Sequence, residues 1–108
     1  MMPAEVMAEL SRLSQNLQGA SDALFKAEES LAEAEHALDL VEQKAFIAAV
    51  GTVADRQALA RLEAADSRLE RDLRKAEVNR IKTKLKTLES ALMATATMAK
   101  IMEMETRI

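Results

Sequence analysis

The chain has 108 residues and a formal net charge of −3, and 49% of its residues are hydrophobic while only 2% are aromatic. It has one proline and no cysteine, which excludes disulfides and thiolate chemistry. No apolar run approaches the roughly 20 residues of a membrane span, so we expect no membrane partner and a cytoplasmic location. The composition is typical of long helices and coiled coils with a thin buried seam.

Apolar residues and alanines recur through the first half in alternating steps of four and three. They are Val6, Leu10, Leu13, Leu17, Ala20, Leu24, Ala27, Leu31, Ala34, Leu38, Val41, Ala45 and Ala48. This heptad seam predicts a first helix over about 4–49 that supercoils with a partner. We interpret Gly19, which lies beside the seam, as a weak point inside one helix. The alternative is a break there, with Ser21 capping a new helix.

The stretch VGTVADRQA, residues 50–58, contains the second of only two glycines. Gly51 follows the first seam, where a helix end favours a residue that tolerates a positive φ. Thr52 and Asp55 have the spacing of a capping box for a new helix. Arg56 opposes this interpretation, because a basic residue is unfavourable near a helix N-terminus. We predict a turn at about 50–52 and a second helix over about 53–106.

The second half has two apolar frames, with a shift near residues 76–78. The first frame is Leu59, Leu62, Leu69, Leu73 and Ala76, and the second is Val78, Ile81, Leu85, Leu88, Leu92, Thr95, Ala99 and Met102. Asp66 falls on the first frame, where a polar residue costs stability but fixes register. Such a frame shift locally changes the supercoil, or it marks where one partner helix gives way to another.

The predicted fold is all-α, a long antiparallel helical hairpin (a two-helix coiled coil) that forms a single domain over residues 1–108. Residues 1–55 carry three basic and ten acidic residues, whereas residues 56–108 carry twelve basic and eight acidic ones. This complementarity favours folding the acidic helix against the basic helix. A continuous rod is the alternative, and the hairpin contacts are also compatible with exchange between two chains.

Several apolar residues lie off the seam and need cover, which predicts a homo-oligomeric helical bundle of unspecified stoichiometry. Methionines concentrate at both ends of the chain, and a hairpin brings these ends together. Methionine suits adaptable contacts, although loose core filling explains the same residues. The residues we expect at the oligomer interface are Met93, Met98, Ile101 and Met102.

Basic residues are concentrated between Arg68 and Lys86. In the predicted hairpin Arg68, Arg71 and Arg74 face the glutamates of residues 28–35, so they have partners. The remaining basic residues have fewer acidic residues opposite them in the predicted hairpin. A row of Lys and Arg on a helix can bind a phosphate backbone. A solvated coiled-coil flank is the competing interpretation. The predicted contacts with nucleic acid are Lys75, Arg80, Lys82, Lys84 and Lys86.

Catalysis has no support in the sequence, because no Gly-rich phosphate loop, Cys/His pair or Ser/His/Asp set is present. His36 is the only histidine, and without a second histidine or a cysteine a zinc site is not expected. We interpret His36 as a surface residue. We therefore predict no enzyme activity, no catalytic residue, no metal and no cofactor.

The stretch KAFIAAVGTVADRQALARLEAAD and the later LKTLESALMATATMAK resemble a recurring type of small phage protein. The matching residues are Lys44, Ala45, Phe46, Gly51, Thr52, Arg56 and Ala58, and the resemblance covers about residues 40–100. Proteins of this type are similar to UvsY-like recombination mediators, which bind single-stranded DNA, oligomerise and help to load a recombinase. The resemblance implies a host-cell cytoplasmic location and DNA-backbone contacts at the five basic residues above.

Three functional hypotheses follow. The first is an oligomeric phage accessory protein of DNA recombination that binds single-stranded DNA, a recombinase, or both. The alternative is a protein-interaction module, a small inhibitor or adaptor that acts by helix docking on another protein without nucleic acid. The third is a coiled-coil spacer, which assembles and binds neither.

Overall fold

The computed structural model describes residues 2–107, which contain three α-helices and no strand. Helix α1 spans Pro3–Ala48, α2 spans Val53–Glu63 and α3 spans Ala65–Arg107. The prediction of an all-α fold is confirmed. Helix α1 runs without interruption through Gly19, which confirms that this glycine lies inside one helix.

The connection between α1 and α2 depends on Gly51, whose φ is 126°. A Cβ at Gly51 would lie 3.2 Å from the Cβ of Asp55, so both the backbone angle and the space favour glycine. The backbone N–H of Asp55 donates to Thr52 Oγ1 at 3.2 Å, and the N–H of Thr52 donates to Asp55 Oδ2 at 3.4 Å. The predicted capping box is therefore confirmed.

Arg56 lies in the first turn of α2, but its side chain hydrogen-bonds to the C-terminal end of α1. Its Nε and Nη2 atoms donate to the carbonyl oxygen of Phe46 at 3.2 and 3.0 Å. This carbonyl lies in the last turn of α1, where backbone oxygens have no partner within the helix. The guanidinium carbon also lies 4.2 Å from the centroid of the Phe46 ring. A residue that looked unfavourable for α2 thus caps α1.

The predicted continuous second helix is interrupted at Ala64, which separates α2 from α3. Ala64 has φ −90° and ψ 4°, and its N–H still donates to the Ala60 carbonyl oxygen at 3.0 Å. Arg68 Nη1 donates to the carbonyl oxygen of Arg61, beside the interruption, at 3.5 Å. Neither glycine nor proline marks this position, so the sequence does not indicate the interruption.

The contacts of the chain group it into two compact units. Unit 1 comprises residues 1–24 and 80–108, and unit 2 comprises residues 25–79. In unit 1 the buried side chains of α1 are Val6, Leu13 and Ala20. Their α3 counterparts are half-buried at Ile81, Leu85, Leu88, Leu92, Thr95, Ala99 and Met102. The heptad frame predicted for the unit 1 part of α3 is confirmed.

Unit 2 departs from the prediction. Its buried residues are Ala34, Leu38, Ala60, Ala64 and Val78. The predicted seam residues Leu59, Leu62, Leu69 and Leu73 are instead 45, 73, 59 and 57% exposed. Ala76 and Asp66, which we placed on the same frame, are also exposed. The leucine pattern is regular, but it does not mark the face that α1 covers.

The physical reason is that small residues occupy the first inward positions of this segment. Ala60, Ala64 and Val78 are buried, and Ser67, Arg68, Arg71 and Glu77 are half-buried. Apart from the exposed Arg74, the positions from Ala60 to Val78 continue the alternating steps of Ile81 to Met102 backwards, so the buried face keeps one frame while the leucines follow the other. Alanine and serine let two helices approach closely, whereas leucine on that face would hold them apart.

No helix within residues 2–107 is both long and apolar enough to cross a membrane.

Candidate nucleic-acid and docking surfaces

All five predicted nucleic-acid contacts are exposed on α3. Lys75 belongs to unit 2, and the other four belong to unit 1. Among the described residues no carboxylate forms an ion pair with Lys75, Lys82, Lys84 or Lys86, whereas Arg80 already interacts with another residue. Four lysines of α3 therefore retain charge that the described residues do not neutralise.

The arginines that precede these lysines are engaged, but not with the residues we expected. Arg68 Nη2 lies 2.8 Å from Glu42 Oε1 of α1, which corrects the predicted pairing with residues 28–35. Arg71 pairs with Asp72 at 2.7 Å, and Arg74 pairs with Glu70 at 2.7 Å, both within α3. The pairing of Arg68 with Glu42 therefore differs from the register predicted by simple folding about Gly51.

The four basic residues of unit 1 follow two sides of α3. Lys82 and Lys86 are four residues apart, which places them on the same side of an α-helix. Lys84 lies about 200° around the helix from Lys82, and Arg80 lies on the same side as Lys84. The half-buried Ile81 and Leu85 lie between the two sides. One strand of nucleic acid bound to unit 1 would therefore follow one of these two sides.

The methionine-rich end in unit 1 contains both covered and exposed residues. Met102 is half-buried and lines a cavity of about 190 Å³ together with Pro3, Val6 and Met7. Met93, Met98 and Ile101 are exposed. Three of the four predicted interface residues are thus accessible, while Met102 already packs within the chain. Met1 lies outside the described residues.

Unit 2 carries an exposed apolar row that we name the leucine stripe: Leu59, Leu62, Leu69 and Leu73. The first frame predicts a seam at these residues without indicating which helix covers it, so their exposure was not predicted. One pattern would have identified it. Extending the regular frame of Val78–Met102 backwards reaches Ala64 and Ala60, and it leaves the leucines on the outer side of the helix.

An open groove of about 1350 Å³ lies beside the turn in unit 2. Phe46, Ile47, Ala54 and Ala58 contribute apolar wall, and the Glu42–Arg68 ion pair also lines it. The groove is lined by residues of the last turns of α1 and by residues of α2, the two helices that the Arg56–Phe46 contact joins. Its apolar wall adds to the exposed surface of unit 2.

His36 is exposed on α1, as interpreted from the sequence. Among residues 2–107, no three His, Cys, Asp or Glu side chains are grouped in a way that would hold a metal ion. The absence of enzyme activity stays a prediction.

Comparison of the chain with protein-family models, with curated proteins and with solved structures gives no match. The functional argument therefore depends on the surfaces described above.

Proposed function

We propose that the chain closes on itself as an antiparallel helical hairpin and assembles into a homo-oligomeric bundle. In unit 2, the late α1 residues Glu42 and Phe46 contact Arg68 and Arg56, which follow shortly after the turn. In unit 1, residues at the start of α1 line a cavity with residues at the end of α3. This order of contacts supports antiparallel pairing within one chain.

Self-association would cover the exposed methionine-rich end. Met93, Met98 and Ile101 present apolar side chains to solvent, and soluble proteins seldom leave such clusters uncovered. Met102 would contribute at the margin of that interface, because it is only half-buried. Light scattering at several protein concentrations would give the stoichiometry, and a monomer at all concentrations would contradict the assembly.

The function supported best is that of an oligomeric accessory protein that binds single-stranded DNA, of the kind that assists a phage recombinase. The observation that carries it is the set of exposed lysines at positions 75, 82, 84 and 86, which lack ion pairs among the described residues. Unneutralised lysines on a helix exchange condensed counterions for phosphate contacts. The recombination setting comes from the sequence resemblance alone.

The test is binding of a fluorescent single-stranded oligonucleotide of about 40 nucleotides, measured by anisotropy between about 50 and 200 mM salt. We expect affinity to fall steeply with salt. The variant Lys75→Gln/Lys82→Gln/Lys86→Gln should reduce the slope of log affinity against log salt by about 2, since each contact contributes roughly 0.7. It should also weaken binding at low salt by about tenfold or more.

Lys26→Gln is the matched control, because Lys26 is an exposed lysine on α1 and lies outside the predicted contacts. It should leave both affinity and slope unchanged. Replacing Lys84 alone tests the other side of α3 within unit 1, and an effect equal to that of the triple variant would contradict a preference for the side of Lys82 and Lys86. Absence of binding at the lowest salt would reject DNA binding as the activity.

A second candidate is a protein-interaction module that docks a helix of another protein without nucleic acid. The leucine stripe favours it, because α1 leaves these four side chains exposed. Loss of partner binding on changing the stripe, with DNA affinity unchanged, would separate this function from the first.

A further inference from the structure

The leucine stripe lies on the side of the helix opposite the internal seam. Leu62 stands two residues from Ala60, and Leu69 stands two residues from both Ser67 and Arg71. Two residues correspond to about 200° around an α-helix. Because Ala60 is buried and Ser67 and Arg71 are half-buried, the leucines point away from α1. The second half of unit 2 therefore has an inward seam of small residues and an outward row of leucines.

The outward row has the spacing of a second coiled-coil seam. Positions 59, 62, 66, 69 and 73 follow steps of three and four, and leucine occupies four of them. The row is about 21 Å long at 1.5 Å per residue, which matches some four turns of a docked helix. Asp66, at the central position, is exposed and forms no ion pair among the described residues.

The charges beside the stripe are of one sign. Glu63, Glu70 and Glu77 recur every seven residues along one edge of it. Glu63 forms no ion pair among the described residues, whereas Glu70 pairs with Arg74 and Glu77 already interacts with another residue. The corresponding positions of the other edge are Ala58, Ala65, Asp72, which pairs with Arg71, and Asn79. No flanking position is basic. Residues that flank a coiled-coil seam select the partner through interhelical ion pairs, so a basic partner is favoured.

A second copy of this chain fits the stripe poorly. An antiparallel pair of stripes would set the glutamate edge of one copy against the glutamate edge of the other, and a parallel pair would bring Asp72 near Glu77. Either arrangement also carries two copies of Asp66 into the new seam. A partner with lysine or arginine beside its apolar residues removes all of these conflicts, and one basic residue opposite Asp66 satisfies its carboxylate.

We propose that the leucine stripe binds an amphipathic helix of another protein, whose heptad-spaced apolar residues are flanked by lysine or arginine. This inference rests on the second candidate function. It does not depend on DNA binding, because the stripe contains none of the predicted DNA contacts.

The probe is a synthetic helical peptide of three heptads with leucine at the seam positions and lysine at the flanking positions. Its matched partner peptide carries glutamate at those flanking positions. Binding of each fluorescent peptide to the full-length protein is measured by anisotropy. The lysine peptide should bind at least about tenfold more tightly than the glutamate peptide.

Two protein variants locate the site. Leu62→Ser/Leu69→Ser should weaken binding of the lysine peptide by about tenfold or more, while Phe25→Ser, which alters another exposed apolar side chain, should leave it unchanged. Glu63→Lys/Glu70→Lys should reverse the preference toward the glutamate peptide. Circular dichroism confirms that each variant is folded, and exposed positions are chosen so that folding is retained.

Equal binding of the two peptides, or no effect of Leu62→Ser/Leu69→Ser, would overturn the proposal. A fall in oligomer mass caused by that same variant would also overturn it, since a second copy would then occupy the stripe. Oligonucleotide binding by each variant is measured in parallel. Retained DNA affinity with lost peptide binding separates failure of the stripe from failure of the DNA function.

Discussion

Two segments in the second half of the chain differ in whether their leucines are covered or exposed. In residues 80–92 the leucines and isoleucine of α3 point inward and are half-buried, at Ile81, Leu85, Leu88 and Leu92. In residues 59–79 the leucines are exposed, and Ala60, Ala64, Ser67, Arg71 and Val78 take the inward positions. A regular leucine repeat therefore indicates a seam, but it does not show whether the chain itself supplies the other side.

The two parts bury different amounts of apolar area. The half-buried leucines of unit 1 each cover more apolar area than an alanine can. Inward alanines permit close helix approach, but each buries little apolar area. The leucines that unit 2 does not bury remain available to a partner, and their exposure carries the docking proposal.

The largest expected effect contrasts a buried leucine with an exposed one. Leu13→Ala should lower the free energy of unfolding by about 3 kcal/mol, because Leu13 is 3% exposed and its loss leaves a cavity. Leu69→Ala should change it by less than about 0.5 kcal/mol. Urea unfolding followed by circular dichroism at one fixed protein concentration measures both. Equal losses would show that the stripe is buried in solution.

A smaller effect is expected from enlarging an inward alanine. Ala64 is fully buried, so Ala64→Leu should cost about 2 kcal/mol through overpacking. Its neighbour Ala65 is exposed, and Ala65→Leu should be nearly neutral. The same unfolding experiment compares the two variants. Stabilisation by Ala64→Leu would mean that the inward face has room for leucine, which would contradict the small-residue seam.

The smallest expected effects are those of replacing the two glycines. They test the turn geometry at Gly51 and the helical environment of Gly19. Gly51→Ala should destabilise the fold by about 1–2 kcal/mol, because its φ is 126° and an added Cβ crowds Asp55. Gly19→Ala should stabilise α1 by about 0.5–1 kcal/mol, since nothing lies within 4 Å of its Cβ position. Thermal melts resolve the opposite signs. A stabilising Gly51→Ala would reject the turn geometry.

Local chemistry made several features predictable. The alternating steps of α1 identified its covered side, with Ala48 as the exposed exception. The capping box of Thr52 and Asp55 could be predicted because the two residues are three positions apart in the sequence. The lysines were recognised as exposed, although their division between two sides of α3 follows only from counting around the helix.

The features that sequence reasoning missed depend on partners distant in the chain. Arg56 looked misplaced because its acceptor, the Phe46 carbonyl, lies ten residues earlier across the turn. The pairing of Arg68 with Glu42 spans 26 residues and was assigned to the wrong glutamates. In both cases the sequence shows an arginine that needs an acceptor, and only the tertiary structure shows which acceptor it contacts.

The sequence by itself determined that the chain is helical on both sides of the glycine turn, where that turn falls and which face of α1 is covered, because periodicity and capping act over a few residues. Only the tertiary structure decided which of two heptad frames in residues 59–76 faces α1. Both frames have the correct spacing, and the choice depends on how closely the backbones approach. Alanine at positions 60 and 64 permits that approach, and so the leucines are left facing outward.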